Sequence, residues 1–259
     1  MAGTAENTLA GLVLAAGRGS RFAAKSGPAL PKVLRPALGA PLISYVLKTL
    51  RDAGVGRVTI IAGFGADQVM DSLGRDRDYV RQTEQKGSGH AVACARDRFR
   101  DFDGELVVMC GDSPLFRSET LRRMIDHHRR TGAAATLAAA VLDDPTGYGR
   151  IVRCGHPESA PEGRITGVVE EKCANEPERA IREVNGGAYV FDSRWLFGNI
   201  DLMAQNDAGE YNLTDMIRVA VEQGRTVSSV PCAADEISGV NTLDELRAVE
   251  AVLQSRVVK

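Results

Sequence analysis

Through the first half of the chain, short runs of apolar and β-branched residues alternate with segments whose apolar positions recur every three or four residues. Residues 9–15 (LAGLVLA), 57–63 (RVTIIAG) and 105–111 (ELVVMCG) lack polar alternation, the pattern of strands buried on both faces. Between the first two, PLISYVLKTLRDAG (41–54) puts Leu42, Val46 and Leu50 on one helical face, opened by a proline and closed by a glycine. SGHAVACARDRF (88–99) and SETLRRMIDHHRRTG (118–132) read as further helices with serine in the capping position. This alternation predicts an α/β fold with a doubly wound, mostly parallel, Rossmann-like sheet. The second half is richer in strands: 133–144, 148–153, 164–172 and 183–192, separated by turn clusters such as DDPTGYG and GHPESAPEG. These extend the sheet or form a small β-rich lobe against it. The last segment, TLDELRAVEAVLQSRVV (242–258), predicts a C-terminal helix with Leu243, Leu246, Val249, Leu253 and Val257 in one stripe. Thr242 and Glu245 fit a capping box at its start.

Composition narrows the function classes. The chain has 259 residues and a formal net charge of -2, with no basic stripe, which argues against a nucleic-acid partner. The five cysteines include no C-x-x-C pair, so neither a disulfide framework nor a zinc site is indicated. The apolar run near the N-terminus lacks a basic flank and is too short to span a bilayer. The expectation is a cytoplasmic protein that does not use the membrane.

Candidate chemistry begins at LAAGRGSRF, Leu14 to Phe22, directly after the first strand pattern. Gly17 and Gly19 fit the start of a dinucleotide-binding G-x-G-x-x-G, but Phe22 occupies the third glycine position and no ribose-binding acid follows a second strand. No P-loop is present. What remains is a loop whose backbone N–H groups can cradle an anion, with Arg18 and Arg21 as cationic forks and Lys32 as a mobile point charge just beyond. A solvated turn with surface arginines is the plain alternative.

LAAGRGSRF followed by LPKVL (30–34) resembles the signature of the sugar-phosphate nucleotidylyltransferases. QTEQKGSGHA, CGDSPL, DDPTGYGRI, GVVEEK, EVNGGAYVF, GEYNLTDMI and SGVN then follow in the order seen in one branch, the N-acetylglucosamine-1-phosphate uridylyltransferases. In bacteria that branch forms the N-terminal domain of a bifunctional enzyme. The resemblance runs from about Leu9 to the final helix. It implies transfer of UMP from UTP to N-acetylglucosamine-1-phosphate, with pyrophosphate released and Mg²⁺ as cofactor. The sugar-phosphate oxygen is already ionised near neutral pH, so alignment and charge neutralisation are required rather than a general base.

The resemblance also implies roles for residues. Arg21 and Lys32 meet the phosphates and are the catalytic candidates. Leu14, Ala15, Ala16 and Gly17 line the nucleotide through main chain, with Gly111 alongside, and Gln82, Gly87 and Ser88 match the uracil-reading positions. Gly149, Glu170 and Asn185 match the positions that hold the N-acetylated sugar. Asp112 and Asn241 match the Mg²⁺ ligands. Tyr148 and Tyr211 are candidates to wall the sugar site. On chemistry alone, Ser88 is also an ordinary helix cap, Asp112 a turn aspartate, and Glu170 a solvated strand-end acid.

The chain departs from the branch pattern at three places. The loop between Arg21 and Pro31 is longer than usual, Gly186 stands where threonine is common, and Glu171 stands where histidine is common. The expected domain is 1–241 with a linker-like helix at 242–259, and no left-handed β-helix of hexapeptide repeats is expected. A monomer or weak oligomer follows from that. Three competing functions share parts of this pattern. One is a related enzyme using glucose-1-phosphate with UTP or dTTP. Another is a metal-dependent glycosyltransferase, against which the D-x-D of Asp101 and Asp103 precedes its strand. The third is a nucleotide-sugar sensor, against which Arg21, Lys32, Asp112 and Asn241 are all retained.

Overall fold

The structure is a computed structural model that describes residues 8–17, 19, 30–154 and 163–257. Its strands, in chain order, are β1 (Leu9–Ala15), β2 (Pro36–Ala37), β3 (Ala40–Pro41), β4 (Arg57–Ala62), β5 (Asp78–Arg81), β6 (Glu105–Cys110), β7 (Ala135–Val141), β8 (Arg150–Cys154), β9 (Arg164–Val169), β10 (Glu183–Asp192) and β11 (Val227–Pro231). The α-helices are α1 (Leu42–Asp52), α2 (Ala66–Leu73), α3 (Gly87–Ala93), α4 (Ser118–Thr131), α5 (Glu176–Arg179), α6 (Ser193–Asn199), α7 (Asp215–Glu222) and α8 (Leu243–Val257). The main sheet runs β11-β7-β10-β6-β1-β4-β5, while β2 and β3 form a separate small hairpin. Neighbours along that path are parallel except at β10, which is antiparallel to both β6 and β7. β8 and β9 branch from β10 as the β-rich lobe.

The unbroken apolar runs have a simple cause. Successive side chains on a strand point to opposite faces, and both faces here are covered. Leu12, Leu106, Val108 and Phe191 pack on one face with α3, α6 and α7. Val13, Val107, Met109 and Val190 pack on the other with α1 and α4. Each fully buried Leu or Val contributes about 1.5–3 kcal/mol. A third cluster joins Leu42 and Leu115 to Val240, Val249 and Leu253, which docks α8 on the domain. Arg256 reinforces the docking by donating to the Leu115 carbonyl (2.7 Å) and to Asp235 (2.9 Å).

Several local expectations change. Neither serine is a helix cap. α4 begins on Ser118 itself with no side-chain cap, and the buried Glu236 braces its start by accepting from Arg117 N and Thr120 Oγ1, both at 3.0 Å. α3 begins at Gly87 after Lys86, and Ser88 Oγ accepts from Leu213 N across the fold (3.0 Å). The expected helix over 88–99 ends at Ala93 and resumes as a 3-10 turn at Arg96–Phe99. The strand expected over 164–172 ends at Val169. On α8 the capping box forms, with Thr242 and Glu245 bonding each other's backbone N–H groups. Leu243, however, is 41% exposed, so the buried stripe begins at Leu246. Arg18, Arg21 and Phe22 lie outside the described residues.

Candidate active site

The carboxyl ends of β1, β4 and β6 stand side by side, since Leu14 is in register with both Ile61 and Cys110. Ligands of open α/β sheets bind at this edge. β10 arrives there from the opposite direction. Its Ala188 faces Met109, so residues 185–187 fall just past the end of β6. The register of β10 against β7 shifts between Asn185 and Tyr189, and Gly187 inside that bulge has φ +72. The extra residues follow Asn185, which still pairs with Ala139, and interrupt the ladder directly beside it, as bulges beside functional sites do.

A cleft of about 500 Å³ opens on this edge, lined in part by Leu14, Ala16, Gly17, Gln82, Gly87 and Asp112. Ala15 is in the core, as strand alternation requires. Gly111 N donates to the Leu14 carbonyl (2.9 Å), and a Cβ at Gly111 would sit 3.1 Å from that oxygen. Gln82 is buried, with its Nε2 donating to the Gly87 carbonyl (3.1 Å) and lying 3.0 Å from His90 Nδ1. Gly87 has φ +96, and a Cβ there would lie 2.4 Å from the Tyr211 carbonyl, so only glycine fits. Tyr211 N and O bond Lys86 O and Gly89 N, tying this turn to the 211–214 segment.

The two expected metal ligands and the expected phosphate lysine meet at one point. Lys32 Nζ is ion-paired with Asp112 Oδ2 and donates to Asn241 Oδ1 at 2.9 Å. The Lys32 and Asp112 side chains are each 16% exposed, so the charges are largely withdrawn from water. One anionic and one neutral hard oxygen thus converge on a single cation. That donor set fits Mg²⁺, which takes few carboxylates and completes its shell with water and phosphate oxygens.

A second hollow, about 290 Å³, adjoins the cleft through Cys110 and Asp112 and includes Tyr148, Asn185 and Asn241 in its wall. Asn185 Nδ2 donates to Tyr189 Oη (2.6 Å), its Oδ1 accepts from Gly187 N (3.2 Å), and its N–H donates to the Gly149 carbonyl (2.8 Å). Gly149 in turn lies against Glu170, whose Oε2 would be 3.5 Å from a Cβ at 149. The three residues matched to the sugar therefore form one group. Glu170 borders a third hollow of about 430 Å³ that meets the cleft at Glu210. Glu171 points its carboxylate to Arg150 Nη2 (2.7 Å) and Gly147 N (3.1 Å), and the Arg150 guanidinium holds its carboxyl below the usual range. Burial, with Asp112 nearby, pushes the Cys110 thiol up to about 12, so it stays protonated. Among the described residues, no cluster of three or more His, Cys, Asp or Glu side chains could hold a metal by itself.

The nucleotidyl transferase family profile matches residues 10–235, most of the chain and every element that lines the cleft. The chain belongs to the nucleotidyl transferase family. Within it, the chain is 40% identical over 250 residues to the bifunctional protein GlmU of Geobacillus thermodenitrificans, covering 96% of this chain and 52% of that protein. It is 39% identical over 254 residues to bifunctional protein GlmU of Geobacter sulfurreducens, covering 96% and 51%. The chain thus spans about half the length of the curated relatives it matches. A crystal structure assigned to a glucose-1-phosphate thymidylyltransferase of Bacillus anthracis, in complex with a sucrose, has a TM-score of 0.73 at 20% identity, with 94% of each chain covered. That likeness is one of fold. Two side chains at the candidate site carry no sequence signal of their own. Thr214 donates its hydroxyl to Glu170 Oε1 (2.8 Å), and Tyr189 anchors Asn185. Asp101 and Asp103 precede β6, and Asp103 pairs with Arg194.

Proposed function

We propose that this nucleotidyl transferase moves UMP from UTP to N-acetylglucosamine-1-phosphate. The observation that carries the reading is the meeting of Lys32, Asp112 and Asn241 where two hollows join, one holding Gln82 and Gly87 and the other Asn185. The names of the relatives, bifunctional protein GlmU, agree with it.

In this reading the nucleotide lies along the carboxyl edge of β1, with its base against Gln82 and Gly87. A side-chain amide can meet both a carbonyl and an N–H of uracil. Glu170, Asn185 and Gly149 hold the sugar, and its phosphate oxygen is directed at the α-phosphorus. The new O–P bond forms as the bond from that phosphorus to the β-phosphate oxygen breaks, and pyrophosphate leaves with the electron pair. Lys32 places positive charge beside the phosphates, as Arg21 does in the same reading. Asp112 and Asn241 would hold Mg²⁺, which supplies further neutralisation of charge at the phosphates when bound. The attacking oxygen is ionised already, so no side chain needs to remove a proton.

Pyrophosphate release tests this directly, with UTP, dTTP, CTP, ATP and GTP each crossed with N-acetylglucosamine-1-phosphate and glucose-1-phosphate. The expected signal is dominated by UTP with the N-acetylated sugar. Dominance of glucose-1-phosphate or dTTP overturns the specificity. No release with any pair from folded protein overturns the activity.

A further inference from the structure

The residues assigned to the metal are already in contact with a cation. Lys32 Nζ touches Asp112 Oδ2 and Asn241 Oδ1 together. Three segments distant in sequence meet at this point: the 3-10 turn Lys32–Leu34, the end of β6 and the start of α8.

Each partner is fixed by bonds of its own. Val33 and Leu34 are buried and anchor the turn, and the stem of Lys32 runs beside Gly19, where a Cβ would come within 2.9 Å of Lys32 Cβ. The Asp112 carbonyl accepts from Val240 N at 3.1 Å. The Asn241 N–H goes to the Glu245 carboxylate of the capping box. The contact is therefore the convergence of three anchored groups.

A divalent ion held by the same two oxygens would need the space between them. That is the volume the ammonium fills. Two cations cannot share it, because each repels the other while competing for the same carboxylate.

We propose that Lys32 is the resident cation of the metal position, and that a divalent ion enters only as a triphosphate draws the ammonium away. The inference rests on the reading of Asp112 and Asn241 as metal ligands. In the nucleotide-free protein, Lys32 neutralises Asp112 and keeps both oxygens aimed at the right point. A triphosphate provides the ammonium with other anionic oxygens close by. Nucleotide and metal therefore load together, and free metal alone binds weakly.

The test uses Mn²⁺ as the probe, with free ion counted by electron paramagnetic resonance and neither nucleotide nor sugar phosphate present. Lys32→Met is expected to bind one Mn²⁺ at least about tenfold more tightly than the wild type. Adding Asp112→Asn to that variant is expected to remove the gain, which places the ion. Equal Mn²⁺ affinity in wild type and Lys32→Met overturns the proposal. Lys32→Gln gives the same comparison should the methionine variant lose its circular-dichroism signature. The wild type alone supplies another measurement, since Mn²⁺ should leave its thermal midpoint unchanged without nucleotide. A rise that Asp112→Asn abolishes overturns the proposal. None of these readings uses turnover, so a negative pyrophosphate assay removes the functional reading without deciding the lysine's place.

Discussion

At the scale of single residues, the carboxylate proposed to hold the sugar accepts from a hydroxyl 44 positions away. Thr214 is 6% exposed and donates to Glu170 Oε1 at 2.8 Å, while Leu213 beside it bonds Ser88 at the rim of the nucleotide cleft. Thr214→Val keeps the shape and removes the donor. A hydrogen bond to a charged group contributes about 1.5–3 kcal/mol, and part of this is retained if water reaches the carboxylate. The expected result is a rise of about fivefold to twentyfold in KM for the sugar phosphate, with KM for UTP changed less than about twofold. Steady-state kinetics with each substrate varied in turn checks this, and an equal rise in both constants contradicts the assignment. Thr214 had no assigned role in the sequence although it lies in a quoted block. A hydroxyl paired with a distant carboxylate leaves no periodic trace. Asn185 and Gln82 were legible as parts of ordered blocks, yet their own partners, Tyr189 and His90, were not, for the same reason.

At the scale of elements, the helix starts show how far local rules reach. A serine ahead of an apolar period is a sound capping signal, but α4 has no side-chain cap and its start is braced by Glu236, in the segment that follows β11. Glu236 is 2% exposed and also accepts from Ala233 N at 3.1 Å, so one carboxylate fixes both the start of α4 and the loop leading to Asn241. Glu236→Ala leaves these donors without their acceptor. The expected loss is about 3 kcal/mol of stability, and less for Glu236→Gln, which keeps an acceptor oxygen. Urea denaturation followed by circular dichroism measures it, and an unshifted midpoint for the alanine variant refutes the bracing role. The capping box of α8 was legible because both partners lie three residues apart. The bracing of α4 by Glu236 was not, because that partner is set by tertiary packing. The bulge in β10 falls between these cases. The paired glycines Gly186 and Gly187 mark an irregular strand, but only the pairing with β7 shows where the register shifts.

At the scale of the whole molecule, the unbroken apolar runs of β1, β4 and β6 revealed a sheet covered on both faces, and with it the edge where the site lies. The antiparallel insertion of β10 left no such mark, because a buried strand reads the same in either direction. Away from the site, a buried histidine makes the stability of the fold depend on pH. His128 of α4 is 4% exposed, and its Nδ1 lies 2.9 Å from Thr136 Oγ1 on β7, which is 2.8 Å from Ser228 Oγ on β11. Burial pulls the imidazole down to about 4 from its ordinary 6.5, although Glu105 and Asp192 favour the charged form. The native state therefore resists the proton that the unfolded chain accepts. Above pH 6.5 both states hold neutral imidazole and this residue adds no pH dependence. Between pH 6.5 and 4 the unfolded state gains the proton first, so stability falls by up to about 1.4 kcal/mol per pH unit, about 3 kcal/mol in all. Carboxylates with lowered values, such as Glu171 and Asp235, lose their contributions at more acidic pH, which leaves pH 4.5–6.5 as the window for His128. Glutamine retains a polar partner for Thr136 and does not titrate. Urea midpoints measured from pH 7.5 to 4.5 should decline in the wild type and stay nearly level in His128→Gln. Parallel declines in the two proteins would assign the acid sensitivity to other groups.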